Sequence, residues 1–274
     1  MSAFSRELTD HVDRVRIEIG AGLVEIVPTD GEQTHATLEV VDGPVEDITF
    51  KVVGGELVVE LPKQLLRRSP EVRVRIETPA TLAARIKTGS GDIVAAIPLD
   101  DARLSAGSGD LRIERTEGVL AASTGSGDIR VQHAVGPVRA NTGSGSIDIT
   151  TAEALLALST GSGDVRIGDA AGQATVKVGS GDITIERIQD HSVATSGSGD
   201  VRVELADGPS VRAETARGDV QIGVPDGVPT FLDLKTVTGQ IRCDLEPGAR
   251  PAEGERSLML RARTVSGDIT VVRV

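Results

Sequence analysis

The sequence predicts an all-β protein, a single-chain parallel β-solenoid that winds in short coils. Three observations predict this class: a Gly-Ser-Gly tripeptide that recurs every 18 residues, strict alternation of apolar and polar residues on either side of it, and an aromatic content of only 1%. Self-similarity at a fixed period indicates a repeat architecture, in which each unit buries its apolar face against its neighbours. The tripeptides begin at Gly89, Gly107, Gly125, Gly143, Gly161, Gly179 and Gly197.

The residues between the tripeptides have the period of two that β-strands require. Val138, Ala140 and Thr142 alternate with polar residues before one corner, and Ile147 and Ile149 do so after it. One aliphatic series recurs at steps of nine residues: Leu111, Leu120, Ile129, Val138, Ile147, Leu156, Val165, Ala174 and Ile183. Each coil is therefore predicted to contain two strands of about five residues, joined by two glycine corners, and parallel crossovers favour a right-handed coil.

The composition agrees with this interior and excludes several classes of partner. The chain has three Phe, no Trp and no Tyr, as expected where two sheets about 10 Å apart leave room only for small aliphatic side chains. The net charge of −12 argues against binding to nucleic acid or to an anionic membrane surface, since both require a basic footprint. No apolar run approaches the length of a membrane span, so no membrane insertion is predicted.

Three regions follow from the regularity of the repeat. Residues 1–80 are predicted to form an irregular β cap, with a hairpin at Gly54-Gly55 and a decayed coil corner at Val15–Gly22. Residues 81–222 form the regular solenoid. Residues 223–274 form irregular coils with longer loops around Pro225, Pro229, Pro247 and Pro251.

The last strand is predicted to be an exposed edge. The segment from Thr264 to Val274 alternates like a strand, and no helix that could cap the coil follows it. Solenoids usually cover such an end or pair it, because an open edge presents free backbone groups. The predicted self-association edge consists of Ile269, Val271, Val272 and Val274.

Two other solenoids share this period and are not supported. A left-handed hexapeptide helix needs an aliphatic residue at every sixth position, which Ile147, Glu153 and Ser159 do not provide. A calcium-binding nonapeptide solenoid needs carboxylates at both corners of the coil, whereas Asp follows the glycine at only one of them. The sequence therefore predicts no bound metal and no cofactor.

A column of Gly-Asp pairs is the most conspicuous polar feature, and it is predicted to be a structural corner ladder. Asp closes turns by bonding to nearby N–H groups, so each carboxylate is expected to bond its own glycine corner and to lie near an arginine two residues later. The alternative is an edge that binds a cation or another ligand. The column consists of Gly91, Asp92, Gly109, Asp110, Gly127, Asp128, Gly163, Asp164, Gly181, Asp182, Gly199 and Asp200, and Ser146 interrupts it.

Other polar residues do not form a recognisable catalytic set. His11, His35, His133 and His191 are dispersed along the sequence, and no catalytic triad or zinc motif can be built from their neighbours. The single cysteine, Cys243, is predicted to be a half-buried strand residue. The threonines before the corners, Thr88, Thr124, Thr142 and Thr160, are predicted to point inward and to form hydrogen-bonded ladders. We therefore expect no enzyme activity; an enzyme would need an acid or base within residues 223–263.

The repeated phrase Thr-Gly-Ser-Gly-Asp-Ile-x-Val and the closing Thr-Val-Ser-Gly-Asp-Ile-Thr-Val resemble a bacterial family of β-strand-repeat proteins of unknown function, often labelled putative adhesins. The resemblance covers most of the chain and implies a parallel β-helix without assigning functional residues. The expected function is a scaffold that associates with itself or with a protein partner through coil ends and charged flat faces. The alternative is an exported adhesin or a ligand-binding surface module, although the sequence given carries no recognisable leader and predicts a cytoplasmic protein.

Overall fold

The structure is a computed structural model that describes residues 4–42, 48–61, 70–245 and 256–274. Within these ranges all regular secondary structure is β-strand, and most of the strands pair in parallel. The chain forms two compact units, Met1–Thr142 and Gly143–Val274. The predicted all-β class and the parallel solenoid are confirmed. The loops around Pro247 and Pro251 lie outside the described residues.

The first unit contains eleven of the described strands. They are β1 (Phe4–Asp10), β2 (Arg14–Pro28), β3 (Thr34–Asp42), β4 (Thr49–Val53), β5 (Glu56–Glu60), β6 (Glu71–Thr78), β7 (Leu82–Ala106), β8 (Leu111–Thr116), β9 (Leu120–Thr124), β10 (Ile129–Ala134) and β11 (Val138–Thr142).

Antiparallel strands begin this unit and parallel strands continue it. β4 and β5 form the predicted hairpin, and its two turn residues, Gly54 and Gly55, both have positive φ (57° and 77°) as a tight hairpin turn requires. β1 pairs with β3, and β3 pairs with β6, in antiparallel register. β2 then runs parallel to β7 with Gly22 opposite Gly91, which confirms the decayed corner at Val15–Gly22.

The second unit contains the remaining described strands. They are β12 (Ile147–Ala152), β13 (Leu156–Ser162), β14 (Val165–Ala170), β15 (Ala174–Ser180), β16 (Ile183–Ile188), β17 (Ser192–Ser198), β18 (Val201–Ala206), β19 (Ser210–Arg217), β20 (Val220–Val224), β21 (Thr230–Thr238), β22 (Ile241–Cys243), β23 (Leu258–Ser266) and β24 (Ile269–Arg273).

In both units a strand pairs in parallel with the strand two elements later, at the register that the repeat predicts. In the first unit Leu111 lies opposite Ile129, and in the second Val165 lies opposite Ile183. All four side chains are fully buried, because the period of two directs one side of every strand into the space between the sheets. The series spaced at nine residues therefore forms the core.

The end of the second unit departs from the sequence order. β23 pairs with β19 on one side and with β21 on the other. β24 likewise lies between β20 and β22. The coil that is last in the sequence is thus inserted inside the stack, and the preceding coil, β21 with β22, lies outermost among the described strands.

The predicted self-association edge at Ile269, Val271, Val272 and Val274 is therefore not an open edge at its first two residues. Ile269 and Val271 are fully buried, since β24 is paired along both edges. The physical reason is visible at the corner, where Asp268 accepts a hydrogen bond from the backbone N–H of Gln240 (2.8 Å) and donates its own N–H to Asp219 (2.8 Å). The coil that carries Asp268 can therefore hydrogen-bond to a coil on each side at this corner. The coil that carries Gln240 stacks outside it.

Candidate functional site

The aspartates of the corner column form a continuous chain of hydrogen bonds in each unit. The Oδ1 atom of Asp92 accepts from the backbone N–H of Asp110 at 2.9 Å, and Asp110 accepts in the same way from Asp128 at 3.0 Å. In the second unit the same bond joins Asp164 to the N–H of Asp182 and Asp182 to the N–H of Asp200, at 2.9 and 2.8 Å. These four carboxylates therefore bond the next coil, whereas the sequence suggested a bond within their own corner.

The glycine before each aspartate is required by the close approach of successive coils. A Cβ atom on Gly109 would lie 1.9 Å from the carbonyl oxygen of Gly91, and one on Gly127 would lie 1.9 Å from that of Gly109. Gly181 and Gly199 also have φ of 147° and 141°, which residues with a side chain rarely adopt. A Cβ atom on Gly163 would lie 2.1 Å from the carbonyl oxygen of Gly145, and one on Gly91 would lie 2.6 Å from that of Gly22. The glycines and aspartates together determine how tightly the corners stack.

Two further polar features complete the corner. Arg112 donates to Asp110 and Arg130 to Asp128, both at 2.7 Å, as the spacing of two residues predicts. At the interrupted position the Ser146 hydroxyl accepts from the N–H of Asp164 at 3.3 Å, a longer bond than the aspartates make. The described residues contain no group of three or more His, Cys, Asp or Glu side chains suited to holding a metal ion.

The inward threonines bond to backbone and do not form the predicted ladder among themselves. Thr124 donates to the carbonyl oxygen of Gly109 at 3.0 Å, and Thr160 donates to that of Gly145 at 2.9 Å. Both side chains are buried. The hydroxyl therefore satisfies a corner carbonyl that the preceding coil leaves in an apolar interior.

The histidines remain apart from one another. His11 lies 2.9 Å from Asp13, His35 bonds Thr9, His133 bonds Arg115, and His191 bonds Asp190. Hydrogen bonds from His191 lower the pKa of Asp190 below its usual value. These are separate surface pairs, and they do not assemble a catalytic group in the described part of the chain. Residues 246–255, within the 223–263 segment considered for an enzyme, lie outside it.

The outermost coil of the second unit has an open edge that the sequence interpretation missed. β21 pairs only with β23 and β22 only with β24 among the described strands. Leu232 and Ile241 occupy core positions, opposite Leu260 and Ile269, yet they remain 40% and 45% exposed, since none of the described strands stacks on them. Cys243, predicted to be half-buried, is exposed for the same reason.

The outer surface of this edge is also apolar at both ends of β21. Phe231 is 51% exposed and Val237 is 68% exposed. Their neighbours on β23, Met259 and Val265, are exposed as well. The alternation of Phe231, Asp233, Lys235 and Val237 was visible in the sequence, but only the inserted order of β23 shows that this strand lies at the end.

Charged residues occupy the centre of the same surface. Arg261 and Arg263 both donate to the Oδ2 atom of Asp233, at 2.8 and 2.9 Å. These two guanidinium groups, Arg263 most strongly, hold the pKa of Asp233 below its usual value. Lys235, beside them on β21, has no ion-pair partner among the described residues.

A second candidate surface lies on a sheet face of the first unit. Arg14, Arg85 and Arg103 line an open depression of about 510 Å³, and Glu56 and Asp101 line it as well. The side chains of Arg85 and Arg103 make no hydrogen bond or ion pair within the described ranges. Three guanidinium groups against two carboxylates leave this depression locally positive in a protein of net charge −12.

The strand pairing and the repeat define the described chain as a repetitive β-solenoid. No helix long and apolar enough to cross a membrane occurs in the described residues. The chain belongs to the Toastrack DUF4097 family, whose profile matches residues 13–272. The predicted resemblance to a family of unknown function is confirmed.

Several solved structures are similar to this chain. A putative adhesin from Bacteroides fragilis is 12% identical, with 100% of this chain and 97% of the other covered and a TM-score of 0.38. A putative adhesin from Parabacteroides distasonis is 12% identical over 100% and 97%, with a TM-score of 0.44. A putative lipid binding protein from Parabacteroides distasonis is 13% identical over 99% and 96%, with a TM-score of 0.39. Curated proteins yield no match.

Proposed function

We propose that the protein is a non-enzymatic scaffold that associates with copies of itself through the open coil edge formed by β21 and β22, with its charged flat faces available to a protein partner. The observation that carries this proposal is the exposure of core-position side chains, Leu232 and Ile241, beside unpaired strand edges. It moves the interface from the sequence-predicted strand, residues 269–274, to the coil that lies outside it.

An open edge of this kind favours association for two physical reasons. Unpaired N–H and C=O groups on an edge strand form a template for another strand, and proteins usually protect such edges with charge, proline or a covering segment. Apolar side chains beside the edge add a hydrophobic gain of about 25 cal/mol per Å² buried. β21 places charge only at its centre, at Asp233 and Lys235, and apolar residues on either side.

Light scattering and sedimentation across about 1 to 500 micromolar protein test the proposal. We expect the average mass to rise with concentration, and Leu232→Lys and Ile241→Lys to abolish the rise because each places a charge in the contact. Val193→Lys is the matched control, since Val193 is 37% exposed but lies on β17, away from the edge. A wild-type protein that stays monomeric, or edge variants that associate like the control, would refute the proposal.

The second candidate function is an exported adhesin or ligand-binding module for an anionic ligand, and the unpaired Arg85 and Arg103 favour it. Dextran sulfate is a suitable probe. Binding that weakens with salt and is lost in Arg85→Ala/Arg103→Ala, but kept in Arg130→Ala, would support this function. Arg130 is the control because its guanidinium is already paired with Asp128. Fractionation of native cells distinguishes the two functions, since the scaffold is proposed to be cytoplasmic and the adhesin exported.

Finer features of the fold also remain proposals. We propose a right-handed coil with two strands, supported by the pairing of each strand with the second one after it and by the handedness that parallel crossovers favour. We further propose that residues 1–80 form a cap, residues 81–222 the regular solenoid and residues 223–274 the irregular coils. Crystallography of the protein would test the handedness, and limited proteolysis would test the three regions, because irregular coils should be cleaved before residues 81–222.

A further inference from the structure

We infer that the partner of the open edge is a second copy of this chain, joined by antiparallel pairing of β21 with itself about a two-fold axis at Leu234. This inference rests on the proposed self-association and adds its geometry. β21 reads Thr-Phe-Leu-Asp-Leu-Lys-Thr-Val-Thr, a nine-residue segment with Leu234 at its centre. In an antiparallel pair centred there, Thr230 of one copy lies opposite Thr238 of the other, so the whole strand pairs.

The outer surface is self-complementary in this register. Asp233 lies opposite Lys235 of the second copy, and the two-fold axis repeats that pair. Within its own copy Asp233 receives both arginine bonds on Oδ2, so Oδ1 remains available across the edge, and Lys235 brings an unpaired ammonium group. Opposite charges in directly opposed positions stabilise a sheet by about 0.2 to 1 kcal/mol per pair.

Apolar residues match in the same register. Phe231 lies opposite Val237 of the second copy on the outer surface, where both side chains are more than half exposed in the single chain. On the core side Leu234 meets Leu234 of the second copy, and Leu232 meets Thr236. The aliphatic interior of each copy would then continue into the other, because Leu232 and Leu234 lie in the columns of Leu260 and Ala262.

Neighbouring registers are less favourable, and this selects the one centred on Leu234. A pairing centred on Asp233 would place its carboxylate opposite the Asp233 carboxylate of the second copy. A pairing centred on Lys235 would place the two Lys235 ammonium groups opposite each other. Like charges in opposed positions destabilise a sheet. A pairing with the axis between two residues, such as Asp233 opposite Leu234, would set the core face of one copy beside the outer face of the other. The charges of β21 thus select the register of the pair as well as contributing to its affinity.

A two-fold contact also suits the apolar edge better than a head-to-tail one. The edge strand β1 of the first unit is polar and exposed at Arg6, Glu7 and Asp10. The other edge strand of that unit, β4, has five residues, of which only Val53 is a strongly exposed aliphatic. Neither strand therefore offers the nine-residue β21 an apolar edge of matching length. A contact between identical surfaces is closed by two-fold symmetry and ends at a dimer, whereas a head-to-tail contact extends into a filament. The expected product is a dimer.

The size of the contact sets the concentration at which it forms. A nine-residue strand is about 30 Å long and facing sheets are about 10 Å apart, so the coil end, with the strands included, covers roughly 600 Å² on each copy. The total of roughly 1,200 Å² is at the lower limit of stable interfaces. We therefore expect a dimer that dissociates in the micromolar range.

Cysteine cross-linking tests the register, with Cys243→Ser as the background because Cys243 is exposed. Leu234→Cys should form an intermolecular disulfide under mild oxidation, since opposed Cβ atoms in an antiparallel pair lie about 4.5 to 5.5 Å apart. Asp233→Cys and Lys235→Cys should cross-link when the two variants are mixed and much less when each is alone. Val193→Cys is the control for random collision. Non-reducing gels and mass spectrometry of the linked peptides give the result.

A second variant measures what the opposed charges of Asp233 and Lys235 contribute to the affinity of the dimer. Lys235→Glu replaces both opposed charge pairs with repulsive ones, and we expect the dimer dissociation constant to rise roughly 10-fold or more, against a smaller rise for Lys235→Ala. A dimer in which Asp233→Cys links to itself, or in which Lys235→Glu has no effect, overturns the register while self-association stands. A strict monomer overturns both.

Discussion

Replacing Asp182 tests whether the aspartate column is a structural ladder. Asp182 accepts a hydrogen bond from the N–H of Asp200 at 2.8 Å and donates its own N–H to Asp164 at 2.9 Å. We compare Asp182→Asn, which keeps an acceptor oxygen in the same place without the charge, with Asp182→Ala, which removes the oxygen. The two variants separate the hydrogen bond from the charge.

The expected magnitudes follow from two opposing contributions. Strands on adjacent coils are about 4.8 Å apart, so each neighbouring carboxylate repels Asp182 by about 0.9 kcal/mol at the dielectric constant of water, before screening by salt. A hydrogen bond to a charged acceptor contributes about 1.5 to 3 kcal/mol and one to a neutral acceptor about 0.5 to 1.5. The asparagine variant loses bond strength and relieves repulsion in similar amounts. We therefore expect it within about 0.5 kcal/mol of wild type, and the alanine variant about 1 kcal/mol below asparagine.

Urea denaturation at low and high NaCl measures these differences. Wild type should gain stability as salt screens the column, and Asp182→Asn should gain less. If Asp182→Asn lowers the free energy of unfolding as much as Asp182→Ala does, then the charge at this position matters and the acceptor oxygen does not. If calcium at constant ionic strength raises the stability of wild type in urea but not that of Asp182→Asn, then the column binds a cation. Either result refutes the ladder.

Three further substitutions have defined outcomes. Gly199→Ala should cost about 3 kcal/mol or more in urea denaturation, because φ is 141° and the new Cβ would lie 2.1 Å from the carbonyl oxygen of Gly181. Thr160→Val should cost about 1 kcal/mol, since a buried corner carbonyl loses its donor, while Thr160→Ser should retain most of the stability. Asp207→Asn should cost about 1 kcal/mol at pH 7; its pKa is lowered by Arg187 first, so this loss should disappear as the pH falls below about 4.

Much of the fold was predictable because the repeat makes register explicit. A recurring Gly-Ser-Gly tells which residues lie opposite one another, and Leu111 opposite Ile129 follows from it directly. The two positive φ values at Gly54 and Gly55 were likewise implied by a Gly-Gly pair between alternating strands. Local sequence is sufficient where one coil length is repeated without insertion.

The order of the last two coils was not predictable from the repeat alone. The corners at Gly239 and Gly267 both fit the pattern, and a periodic sequence does not say which of them stacks on the coil of Gly218. The choice depends on competition between distant segments, settled here in favour of the coil that carries Asp268. The open edge was missed for this reason, because its identity depends on which coil lies outermost among the described strands.

The inserted coil has a consequence for biosynthesis. Residues 230–243 leave the ribosome before residues 258–273, yet in the folded chain β21 and β22 pair with β23 and β24. The outermost strands therefore reach their final partners only after residues 258–273 have emerged. A nascent chain would show this as a late gain of protease resistance at residues 230–243, timed to the emergence of the later stretch.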